Sequence, residues 1–134
     1  MGDIKKLIEN LDKLANTIIE GYKSYELIYP NLECIIEKDE CSCKILNSID
    51  IKRRENIIEA MLNVCSYITE DNGSCNLIIH NYSGITEITR RKIEFTLDEI
   101  NRIKVVKYYK PYNIPIEGLK YMKGLIQISV YISY

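Results

Sequence analysis

The residues of this chain best suited to chemistry are thiols. The stretch "CIIEKDECSC" brings together Cys34, Cys41 and Cys43, the last two separated only by Ser42. Thiolates hold soft metals and thiols can pair, so the cluster suggests either zinc or a cross-link. Structural zinc needs four converging ligands, commonly as two close-spaced pairs. On a strand Cys41 and Cys43 would share a face, and Cys34 could sit across a hairpin from them. The fourth ligand would have to be Cys65, Cys75 or His80. Cys75 and His80 face opposite ways on a straight strand, and Cys65 falls on the apolar stripe of a helix, where a thiol is a small hydrophobe. The usual spacing of two to four residues between paired zinc cysteines is missing. The leading expectation is core thiols, ahead of zinc; a disulfide from Cys34 to Cys41 or Cys43 is the runner-up should the source be a thermophile, where intracellular disulfides do occur. Asp39 and Glu40 disfavour a thiolate beside them, which argues against an activated nucleophile.

Other catalytic groups are sparse. His80 is the single histidine, on a strand face shared with Asn76, Ile78 and Tyr82 and opposite Cys75, Leu77 and Ile79. Catalysis would need a nucleophile or an orienting carboxylate beside it, and a lone strand histidine is more often structural. The carboxylate pairs Asp39-Glu40, Glu70-Asp71 and Asp98-Glu99 are adjacent in sequence, so their members project differently and suit turns and helix starts. None of the phosphate-loop, dinucleotide, nucleophile-elbow or zincin motifs is present. The expectation is no enzyme and no cofactor.

The second candidate constellation is basic and aromatic. "TRRKIEF" groups Arg90, Arg91 and Lys92, and "RIKVVKYYKPY" interleaves Arg102, Lys104, Lys107 and Lys110 with Tyr108, Tyr109 and Tyr112. Lysine and arginine neutralise phosphates, and exposed tyrosines stack on unpaired bases, so these ten residues form a candidate nucleic-acid site. The plainer reading is a solvated sheet surface whose lysine stems cover tyrosine rings and guard the edges. Net charge is −1, unlike a dedicated nucleic-acid binder. The charge is nevertheless divided: residues 1–84 hold 9 Lys/Arg against 14 Asp/Glu, and residues 85–134 hold 9 against 5.

The elements that must position these groups follow from periodicity. The chain has 134 residues, 46% hydrophobic and 28% charged, which suits one domain, residues 1–134, with a single core. Isoleucine leads the apolar residues, and 11 Tyr stand against one Phe and no Trp, a bias toward strands. Ile4, Leu7, Ile8, Leu11, Leu14, Ala15, Ile18, Ile19 and Tyr22 recur at helical spacing and predict a helix over 3–27, capped by Asp3 and closed before Pro30. "LECIIE" and "CSCKIL" read as two strands joined by an acidic turn. Residues 51–70 return to helical spacing after Asp50. "CNLIIHNY", "RKIEF" and "KVVKYY" read as strands, the last stopped by Pro111, and "LIQISVYIS" alternates with Ile126, Ile128, Val130 and Ile132 on one face. Thr96-Leu97-Asp98-Glu99 has capping-box spacing and predicts a short helix through Ile103, with another helical turn around Leu119–Met122.

This order predicts an α+β fold: one two-layer domain with an antiparallel or mixed sheet, and a long N-terminal helix and a second helix packed mainly on one face. It is similar in element order to two-layer scaffolds of the roadblock, longin or profilin type, a likeness of topology that implies no function. No apolar leader or spanning stretch is apparent, so the expected setting is cytoplasmic, with no membrane partner. The functional expectation is a small non-enzymatic binding or regulatory protein, of the featureless kind found among viral or mobile-element accessory proteins. It would act through protein–protein contacts and self-associate as a homodimer, through the first helix or through the strand at 125–133 should that lie on an edge. The alternatives are the nucleic-acid site above and structural zinc at the Cys34–Cys43 cluster.

Overall fold

In the computed structural model the described residues are 4–23, 31–37, 40–43, 51–67, 73–83, 92–98, 103–115 and 121–133. They form two helices and six strands, in the order α1 (Ile4–Lys23), β1 (Asn31–Glu37), β2 (Glu40–Cys43), α2 (Ile51–Ser66), β3 (Ser74–Ser83), β4 (Lys92–Asp98), β5 (Ile103–Pro115) and β6 (Tyr121–Ser133). All six strands join one antiparallel sheet in the order β2-β1-β3-β6-β5-β4. This is the expected α+β fold.

Both helices lie on the same face of that sheet. Leu7, Leu11, Leu14, Ala15, Ile18 and Ile19 of α1 are buried, at the spacing that puts them on one stripe. Ile57, Ala60, Met61, Val64 and Cys65 do the same for α2. They meet a wall built from alternate strand residues: Leu32, Cys34 and Ile36 of β1, Cys75, Leu77 and Ile79 of β3, Ile126, Ile128, Val130 and Ile132 of β6, and Val106 and Tyr108 of β5. Register explains the wall, because paired residues share a face. One row runs Leu32, Ile79, Ile128, Tyr108 and the next Cys34, Leu77, Val130, Val106. The four β6 isoleucine and valine residues are 0% exposed, as their alternation predicts.

Polar links fasten the layers. Tyr108 on β5 donates its hydroxyl hydrogen to Asp12 of α1, and Lys110 Nζ lies 3.4 Å from the same carboxylate oxygen. Arg53 of α2 donates to the Thr17 carbonyl of α1 at 3.2 Å. Tyr112 donates to Asn81 Oδ1, and burial pushes its phenol pKa above the ordinary value. The Tyr112 ring lies over Gly124, directly across the β5–β6 pair, where any Cβ would overlap it. Glycine is the residue that permits so close an approach.

Three local expectations give way. The capping-box residues Thr96, Leu97 and Asp98 belong to β4, paired with Val105, Lys104 and Ile103, and Ile103 opens β5. Ladder pairing with β5 overrides the local cap signal there. Pro111 does not stop β5, which continues to Pro115; it lies past the last described β4 pair, Lys92 with Tyr109, and stands opposite Leu125 of β6. Tyr121 and Met122 belong to β6 and not to a helical turn. α1 and α2 are described to Lys23 and Ser66; Asp3, Asp50, Leu119 and the predicted helix ends at 24–27 and 68–70 lie outside the described residues.

Candidate interaction surface

The thiol cluster resolves as cross-links. Cys34 and Cys43, paired across β1 and β2 with Cα atoms 4.2 Å apart, form one disulfide. Cys65 of α2 and Cys75 of β3 form a second, with Cα atoms 6.0 Å apart. The expectation of core thiols therefore changes for these four residues, although Cys34, Cys65 and Cys75 are indeed buried. The pairing has a simple physical origin: an α2 stripe laid on the wall brings Cys65 over Cys75, and antiparallel register sets Cys43 against Cys34. Sulfurs bonded to each other are not thiolate ligands, so Cys34 and Cys43 do not present a zinc set in this state. Cys41 pairs through its backbone with Ile36, and its side chain lies outside the described residues.

The basic and aromatic constellation is divided by the pleat. Tyr108 is 1% exposed, Tyr112 is buried, and Lys110 pairs with Asp12, so these three serve the helix-covered side. Lys107 and Tyr109 point to the other side, half-buried. Arg90, Arg91 and Arg102 fall outside the described residues, as do the side chains of Lys92 and Lys104, whose backbones pair with Tyr109 and with Leu97 and Ile132. Of the ten residues, then, three are taken into the core layer and its polar links.

What replaces that site is the uncovered face of the sheet. The residues alternating with the wall are Glu33, Ile35 and Glu37 of β1, Asn76, Ile78, His80 and Tyr82 of β3, Leu125, Gln127, Ser129 and Tyr131 of β6, and Val105, Lys107, Tyr109 and Pro111 of β5. Among the described residues no helix covers them. Ile35 is 43% exposed and Tyr82 is 44% exposed, while Ile78, Val105, Tyr109, Leu125 and Tyr131 are half-buried by their neighbours. Their pairing forms rows: Ile35, Asn76, Tyr131, Val105 in one and Glu33, Ile78, Ser129, Lys107, Glu94 in the next. Ser129 at the centre is 2% exposed and accepts a hydrogen bond from Gln127 Nε2 at 3.0 Å. The His80 and Tyr82 rings stack with centroids 5.8 Å apart.

The described charges on this face are mixed. Glu33, Glu37 and Glu94 stand against Lys107 and Lys123, with the two β1 acids on one flank and Lys107 on the other. A patch of tyrosines and aliphatic side chains with near-balanced described charges suits a desolvated contact with another folded surface better than a polyanion. Sequence reading missed it because its members come from four strands whose order is not visible in the chain. The signal available was the second alternation of β6, with Leu125 and Tyr131 out of phase with the isoleucines. The condition set for self-association through the strand at 125–133 is not met: β6 lies at the centre of the sheet between β3 and β5, and the apolar stripe of α1 is buried in its own core. No described helix is long and apolar enough to cross a membrane. Compared with known proteins, the chain matches no family model, no curated sequence and no solved structure.

Proposed function

We propose that this protein is a non-enzymatic binding module that self-associates and meets protein partners through the uncovered face of its sheet. The observation that carries this reading is the row Ile35, Asn76, Tyr131, Val105, in which three apolar or aromatic residues and one exposed asparagine lie among mixed charges with no described helix over them. Apolar groups exposed together on one face and rimmed by polar residues mark interaction sites on folded proteins. The working setting is a cytoplasm that keeps disulfides oxidised, the condition that two cross-links impose on an intracellular chain.

The test is sedimentation velocity over a wide concentration range, comparing wild type with an Ile35→Asp/Tyr82→Ser variant. Both side chains are already exposed, so the fold should be unchanged by circular dichroism. The expected result is a wild-type dimer and a variant whose dimer dissociation constant is weaker by about 10-fold or more, as for central apolar contacts. A wild-type monomer at every concentration would end the self-association reading. The nucleic-acid alternative draws on Lys107 and Tyr109; it would take over if a single-stranded RNA bound with steep salt dependence and Lys107→Ala abolished that binding.

A further inference from the structure

Resting on that reading, we infer that the occupant of the uncovered face is a second copy of this chain, packed face to face about a twofold axis parallel to the strands, with Glu33 of each copy against Lys107 of the other. Two sheets that pack face to face keep their strand directions within about 30° of each other. A twofold axis lying between such sheets can run along the strands or across them. The axis across the strands stacks β1 on β1 and β5 on β5. That arrangement sets the β1 acids Glu33 and Glu37 over their own copies, and like charges facing each other oppose association.

The axis along the strands reverses the strand order of the second copy. Centred between β3 and β6, it lays β1 over β5 and β3 over β6. Residues in one sheet row then remain in one layer of the dimer. In the row Glu33, Ile78, Ser129, Lys107, the acid at one end comes over the lysine at the other, twice by symmetry, while Ile78 covers the buried Ser129. In the row Ile35, Asn76, Tyr131, Val105, the exposed Ile35 comes over Val105 and Asn76 over Tyr131. The exposed Tyr82 comes over Leu125, its neighbour in the sheet. Both large exposed apolar groups of the described face, Ile35 and Tyr82, thus meet an apolar group, and Glu33 meets its opposite in Lys107. Within each copy Lys107 lies beside Glu94 on β4, so it would be held between an acid of its own chain and one of the second copy. The six strands are 7, 4, 10, 7, 13 and 13 residues long, and at about 4.8 Å apart and about 3.3 Å per residue they give a footprint on the order of 850 Å². Interfaces of standard size bury about 800 Å² per partner.

Charge exchange tests this arrangement directly. Glu33→Lys and Lys107→Glu are made singly and together, and the dimer dissociation constant is measured by sedimentation equilibrium at low salt, with circular dichroism to verify the fold. Each single variant should weaken the dimer roughly 10-fold, because two partly exposed pairs are lost per dimer. The double variant should recover most of that loss, since each exchanged residue again faces an opposite charge. A double variant no tighter than the singles would overturn the strand-parallel axis. If at the same time Ile35→Asp/Tyr82→Ser still broke the dimer, the face would stand and only the geometry would fall. Should that variant also leave the dimer intact, both readings would fall together.

Discussion

Tyr108 and Tyr109 are neighbours in sequence and belong to different environments. The first is 1% exposed under α1 and bonded to Asp12, and the second stands half-buried on the uncovered side. The same contrast runs through the sheet. Its covered face is a wall of isoleucine, leucine and valine that two helices complete, whereas its uncovered face mixes Ile35, Ile78, Val105 and tyrosines with acids and lysines. The pleat alternates regardless of purpose, so what separates the faces is side-chain choice at odd and even positions. The covered face is committed to holding the chain together. The other keeps apolar groups that its own chain leaves incompletely buried, Ile35 and Tyr82 above all, and the proposed contact is placed on them.

Substitutions of equal chemical size should therefore differ most between the faces. Leu77 is 0% exposed at the centre of the wall, so Leu77→Ala removes buried methyl groups and leaves a cavity. Its expected cost is about 2–5 kcal/mol in urea unfolding. Ile35→Ala on the uncovered face should change the stability of the monomer by no more than about 0.5 kcal/mol. Measuring both in dilute solution, where any dimer has dissociated, keeps association out of the comparison. Near-equal losses would show that the second face is part of the core after all.

The cross-links sharpen the contrast, because both belong to the covered side: Cys34 and Cys75 are wall residues, and Cys65 is on the buried stripe of α2. Removing the second by Cys65→Ala/Cys75→Ala frees a link between residues ten apart in sequence. The expected loss is about 2–3 kcal/mol from the regained freedom of the unfolded chain. Thiol counting under denaturing conditions checks the bond itself, and urea unfolding checks the cost. Wild-type protein with five free thiols and unchanged stability on adding reductant would remove both cross-links from this account.

The covered side was also the side that sequence could read. Leu7, Leu11, Leu14 and Ile18 repeat with the helix, and Ile126 to Ile132 alternate with the strand, because burial on one side forces a period on the chain. Signals without burial behind them did less well. Thr96-Leu97-Asp98-Glu99 carries the local chemistry of a helix start, yet β4 finds its hydrogen bonds on β5. Pro111 is the local signal for a strand end, yet β5 runs on through it with Leu125 of β6 opposite. Partners such as Cys65 with Cys75, Asp12 with Tyr108, or Glu33 in line with Lys107 depend on strand order. Strand order is a property of the assembled sheet, and no spacing in the chain records it.

The last effect concerns Tyr112, where the covered side runs out over Gly124. Its phenol is buried and donates to Asn81, and burial raises its pKa because the phenolate would lose hydration there. An unfolded tyrosine titrates near pH 10. Below that pH the group is protonated in both states, and whatever it contributes to folding is fully present. As pH rises past the unfolded value toward the higher folded one, the unfolded chain ionises first and is stabilised, so the folded state loses ground. Tyr112→Phe removes both the hydrogen bond and the titration. At pH 8 it should be less stable than wild type by about 1 kcal/mol. Between roughly pH 9.5 and 11 that gap should narrow, because only wild type carries this ionisation, while the remaining tyrosines and lysines titrate alike in both proteins. Urea unfolding of the pair across this range reads the difference directly. A gap that stayed constant or widened would mean the phenol is as well solvated in the fold as in the unfolded chain, and Tyr112 would then belong with the uncovered residues.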